Sequence, residues 1–81
     1  MMNWHLKLNE IYLKLEINGY SDIANELRES QLRGGTAGEI FDIVVTKLIY
    51  IKNNNPHIYI IIKNEIDSLI HFGISIGYLS E

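Results

Sequence analysis

Apolar positions recur along this 81-residue chain at steps of three and four in four separate stretches, the spacing that gathers side chains on one face of an α-helix. In the first, from about Asn3 to Asn18, Trp4, Leu8, Ile11 and Leu15 share a face with Tyr12 beside them. Leu13 to Ile17 also alternates like a strand and runs into Asn18-Gly19, a pair that can turn a hairpin. The residues after Gly19 are not strand-like, so the expectation is a helix with Gly19 as its C-terminal cap.

The second stretch starts at Ser21, a good N-cap, with Asp22 in the first turn where the helix dipole favours negative charge. Ile23, Ala24 and Leu27 form a narrow stripe with Leu32 at the end, while Asp22, Glu26, Glu29 and Arg33 share the other side. Gly34-Gly35 ends it, because glycine accepts backbone angles closed to other residues. Thr36 then caps a third helix, Thr36 to Lys52, and Glu39 three residues on completes a capping box. Ala37, Phe41, Val44, Leu48 and Ile51 make one stripe there. Ile40, Ile43, Val45 and Ile49 widen it nearly all round, which places this helix at the centre of the fold.

Asn53-Asn54-Asn55-Pro56 is the clearest loop, with Asn55 able to cap a helix that opens on Pro56. That fourth helix runs to about Phe72. Tyr59, Ile62, Ile66, Leu69 and Gly73 trace one face, and Lys63, Asn64, Asp67 and His71 the opposite one. The run Ile58 to Ile62 alone also fits a buried strand, but its flanking caps favour helix. Gly73 and Gly77 loosen or end it. Short connections between four helices predict one all-α domain over residues 1–81, a small antiparallel bundle.

Composition narrows the function classes. Hydrophobic residues at 47 % argue against disorder, and 81 residues leave no room for a deep enclosed active site. A net charge of −3 argues against nucleic-acid binding, which needs clustered Lys and Arg, and mildly favours a basic partner. The absence of cysteine excludes disulfides and thiolate metal sites and suits a reducing compartment. The N-terminal stretch Met1 to Lys7 lacks a signal-peptide run, and Lys63, Glu65, Asp67 and His71 interrupt the most hydrophobic stretch. At roughly 2.5–3.5 kcal/mol per central charge that stretch does not span a bilayer. A cytoplasmic protein is the expectation.

No side-chain constellation points to catalysis, a cofactor or a metal. His71 lies one turn after Asp67, but a zinc site needs three or four ligands, and His5 and His57 start distant segments. Glu39 and Asp42 are three apart and could meet Glu65 across the bundle, without the Glu-x-x-His pattern of bundle metal sites. The glycine run has no lysine after it and no strand before it, so neither phosphate-binding fingerprint applies. The third segment is too apolar to lie in a DNA groove. A base-stacking surface would need Lys and Arg between the aromatic residues.

Leu27-Arg28-Glu29-Ser30 and Gly34 to Ile40 resemble a largely uncharacterised group of short bacterial helical proteins that carry a Ser/Gly-x-Thr-Gly-x-Glu-Ile-like turn between two helices. The likeness covers the middle third of the chain, and Ala37 stands where glycine is commoner in that pattern. The resemblance implies a compact bacterial helical protein and supplies no catalytic residues. Small acidic proteins of this sort are often toxin-neutralising or otherwise partner-binding.

The expected function is therefore a non-enzymatic protein-interaction module, of immunity or antitoxin kind. The alternative is a helical domain that associates with itself, since Ile60 projects among Lys63, Asp67 and His71. A basic protein partner is expected on the ridge of Asp22, Glu26 and Glu29, with Gly34 and Gly35 allowing close approach beside it.

Overall fold

The computed structural model describes residues 3–79; Met1 and Met2, the first residues of the N-terminal stretch, lie outside them. Four helices follow one another: α1 (Trp4–Ile17), α2 (Ser21–Arg33), α3 (Ala37–Asn54) and α4 (Pro56–Ser75). Both stretches that also fitted strands are helical, and no strand occurs among the described residues. Each helix packs against the one before it and α4 closes back on α1, so α1 is diagonal to α3 and α2 to α4. This is the small all-α antiparallel bundle that four periodic stretches and short connections dictate.

The stripes supply the core. Trp4, Leu8, Ile11, Tyr12 and Leu15 are all buried on α1, as are Phe41, Val44, Val45, Leu48 and Ile51 on α3. On α4 the buried set is Ile58, Ile62, Ile66, Leu69 and Gly73, joined by Glu65. α2 departs from its reading at the end: Ala24 and Leu27 are buried, but Leu32 is 85 % exposed. Five residues beyond Leu27 the helix has turned past the core face, and Ser30 fills the buried position instead. Its hydroxyl donates to the Glu26 carbonyl at 3.0 Å, so it enters the core satisfied. Ala37, read as part of the α3 stripe, is exposed at the first turn.

Helix ends divide into two kinds. α1 ends in a Schellman motif: Gly19 has φ +88°, its N–H bonds the Glu16 carbonyl, and the Tyr20 N–H reaches back to Leu15. α4 ends the same way, with Gly77 at φ +83° and N–H bonds from Gly77 to Ile74 and from Tyr78 to Gly73. The Gly34-Gly35 break is different. Gly34 is extended (φ −77°, ψ 149°) and neither glycine has a positive φ. Gly34 is needed for space: a Cβ there would run into the Ile40 side chain and lie 2.9 Å from that residue's Cα and N. Ser21 is likewise not a cap: it is the first residue of α2, and Tyr20 before it holds the N-cap position with no side-chain capping bond. Thr36 does cap α3. Its Oγ1 accepts the Glu39 N–H at 3.2 Å and its hydroxyl donates to the Glu39 carboxylate at 3.1 Å. Pro56 occupies the first turn of α4, and α4 bends at Ile62 (φ −120°, ψ 20°), the last of three consecutive β-branched isoleucines from Ile60.

Polar clamps tie neighbouring helices together. Arg28 on α2 forks onto the Glu16 carboxylate of α1 at 2.9 and 3.1 Å, holding that carboxyl below its ordinary pKa. Its guanidinium also lies 5.0 Å from the ring centre of Tyr12. The Tyr12 hydroxyl donates to Gln31 at 2.8 Å, and burial pushes its pKa up to about 12. At one pole, Trp4 meets Phe41 edge-on at 5.3 Å, and Phe41 also meets Phe72 and Tyr78 at 6.1 and 5.4 Å. Gly73 makes room there, since a Cβ would lie 2.6 Å from Leu79 Cδ1.

Candidate protein-binding groove

The expected ridge is present on α2. Asp22, Glu26 and Glu29 are exposed on the side of the helix away from Leu27, and Arg33 ends the same row. Glu26 is the member nearest α3, where its carboxylate meets Lys47 Nζ at 3.3 Å. An exposed pair of this kind contributes about 0–1 kcal/mol and exchanges readily with other ions. Gly34 is already filled by its own chain through Ile40, so it offers a partner no backbone gap; Gly35 is exposed, with only the Glu39 carboxylate near it.

Beside the ridge, between the N-terminal half of α2 and the C-terminal half of α3, lies an open cavity of about 210 Å³. Ile23, Leu27 and Ile51 give it an apolar wall, and Tyr50, Asn55 and the Glu26–Lys47 pair form the rest. It differs from a closed apolar cavity in opening to solvent and in carrying the polar groups of Glu26, Lys47 and Asn55 on its wall. Tyr50 is exposed at its edge, and His57 and Tyr20 face one another at 6.4 Å at the same end of the bundle. The arrangement can do two things chemically. It can receive a ring-sized apolar group, and it can pair a cation next to it.

The remaining candidate groups are separated or occupied. Asp67 accepts from Tyr59 Oη at 2.6 Å, Lys63 Nζ at 3.1 Å and Lys52 Nζ at 3.3 Å. The tyrosine hydroxyl above all, then the two ammonium groups, hold its carboxyl below the ordinary value of 3.8. Lys52 gains from the same contact and is raised. Asp67 thus clamps α3 to α4, and His71 one turn on is exposed. Glu65 pairs with Lys14 of α1 rather than meeting Glu39 or Asp42. His5 stacks on Trp4 at 3.7 Å, at the opposite pole from His57. Among the described residues no three or more His, Asp or Glu side chains gather to hold a metal ion. No helix among them is long and apolar enough to cross a membrane.

Periodicity did not reveal the cavity, because a void arises from the misfit of two helices rather than from either alone. Lys47 carried the available signal: it is three residues after Val44 and four before Ile51, so it sits beside their stripe, facing α2. No protein-family model, curated protein or solved structure matches the chain.

Proposed function

We propose that this protein is a non-enzymatic interaction module whose α2–α3 groove receives a basic segment of a protein partner. The observation that carries this reading is the open, apolar-walled cavity lined by Glu26, the middle carboxylate of the ridge that Asp22 and Glu29 continue along α2. An apolar or aromatic partner side chain enters the cavity and supplies most of the affinity, as buried anchors do at protein interfaces. A neighbouring Lys or Arg displaces Lys47 from Glu26 and meets the ridge, which speeds association and makes it sensitive to salt. Such a stoichiometric partner-binder acts in the manner of an immunity or antitoxin protein. The cytoplasm of a bacterial cell is the setting this reading adopts, which a chain without cysteine suits.

The test uses a partner captured with the native chain from cells that make it, then purified. Its association is measured against the native chain and against Glu26→Lys/Glu29→Lys at low and physiological salt. Weaker binding by the double variant, with a reduced salt dependence, is expected. Unchanged association at both salts removes the ridge, and unchanged binding by a cavity-blocking Ile23→Trp variant removes the cavity.

A further inference from the structure

The exposed large apolar residues are not scattered evenly. Tyr50 belongs to the groove, Ile76 and Tyr78 lie at the C-terminal pole, and Ile60 stands alone among Lys63, Asp67 and His71. Single exposed apolar side chains of that kind are ordinary. α1 is different. Leu6, Leu13 and Ile17 are 59, 57 and 82 % exposed, and their spacings of seven and four place them in one stripe. That stripe runs along the side of α1 opposite Leu8, Ile11 and Leu15, so the helix is apolar on two faces. Leu32 extends it. It lies one turn beyond Arg28, whose guanidinium reaches Glu16, and so stands on the α1 side of α2.

Charge decides which occupant fits. Every charged side chain of α1 already has a partner within the chain: Lys7 with Glu10, Lys14 with Glu65, and Glu16 with Arg28. The flanks of the stripe are therefore neutral as pairs. A two-fold interface sets a surface against itself, so it favours a face without unpaired like charges, which would otherwise meet their own copies. The ridge of α2 is not such a face and the α1 face is. Size sets a bound. A whole side of this bundle, with extents of 32 × 23 Å, sets a ceiling on the order of 700 Å², so a stable dimer, in which each partner buries ~800 Å², would have to use most of that side with the α1 stripe at its centre.

We infer that the outer face of α1 is a self-association surface on which a second copy of this chain docks. The two α1 helices run antiparallel across the two-fold axis, bringing Leu6 of each copy against Ile17 of the other. Leu13 lies near the centre and Leu32 at the edge. This face lies away from the α2–α3 groove, so a dimer leaves both grooves open.

Sedimentation equilibrium of the full chain, from micromolar to millimolar concentration, tests this. The native chain is expected to approach twice 9.4 kDa. Leu13→Glu/Ile17→Glu is expected to weaken dimerisation at least tenfold, and the uncharged Leu13→Gln/Ile17→Gln to weaken it in the same direction. Both sit at exposed positions, and thermal melts followed by circular dichroism establish that they fold. Ile60→Glu is expected to leave the dimer intact. A native chain that stays at 9.4 kDa throughout overturns the inference. So does a dimer that survives both α1 variants, or one that only Ile60→Glu dissociates. A monomeric native chain that co-sediments with phosphatidylglycerol vesicles assigns the stripe to lipid and overturns it as well.

Discussion

Lys14 on α1 donates two hydrogen bonds, at 2.9 and 3.0 Å, to the carboxylate of Glu65 on α4. The partners are unequally placed. The Glu65 side chain is 7 % exposed and that of Lys14 48 %, so one charge depends on the pair and the other still reaches water.

That inequality predicts unequal costs. Lys14→Met strands a buried carboxylate and is expected to lower stability by about 2 kcal/mol. Glu65→Met leaves an ammonium group that turns out to solvent and fills the same space with an apolar side chain, so it is expected to cost less than about 1 kcal/mol. Urea unfolding of the two variants measures both, and equal losses would contradict the asymmetry.

The two glycines between α2 and α3 are expected to behave differently. Gly34→Ala forces a methyl group into Ile40 and against its backbone, and overpacking of that kind costs about 1–3 kcal/mol. At Gly35 the nearest atom is a Glu39 carboxylate oxygen 3.8 Å away and φ is not positive, so Gly35→Ala is expected to be near neutral. Thermal melts of the two single variants decide it. A Gly35→Ala loss as large as that of Gly34→Ala would mean backbone conformation, not space, selects glycine here.

Asp67 predicts a particular dependence on pH. Its carboxyl is held below 3.8, chiefly by the Tyr59 hydroxyl and then by Lys63 and Lys52, so the native state favours the charged form. The stability this contributes is fully present above the pKa of the unfolded carboxyl and is lost as pH falls through the lower folded value. Native chain and Asp67→Asn should therefore differ most near neutrality and converge in strong acid. Unfolding curves taken from pH 7 downwards check this, and a constant difference would count against the clamp.

Much of the fold was legible because each helix carries its own stripe and its own stop. The α1 face, the Thr36 cap and the stop before Pro56 need nothing from the rest of the chain, although the break is shorter than its sequence suggests: α3 runs on through Asn53 and Asn54, and Asn55 alone separates it from α4, without a side-chain capping bond. The features that escaped are relations between helices. Why Gly34 is glycine depends on Ile40 arriving beside it, and Glu65 is buried because Lys14 comes from across the bundle. Glu65 did have a local trace, lying three residues after Ile62 and four before Leu69 on the buried face. Of the candidate site, Asp22, Glu26 and Glu29 were readable as a ridge from spacing alone. The cavity and Lys47's hold on Glu26 were not, since both exist only once α2 and α3 pack.

The aromatic cluster that joins Trp4 to Phe41 stands a bundle's length from the groove around Tyr50 and Asn55. Trp4 is also the chain's one tryptophan. Its emission is therefore a built-in optical gauge of the far pole, blind to whatever enters the groove unless the helices themselves shift. A fluorophore attached beside Tyr50 would watch binding directly. Recorded together, the two signals would separate simple occupancy of the groove from a rearrangement carried the length of the bundle.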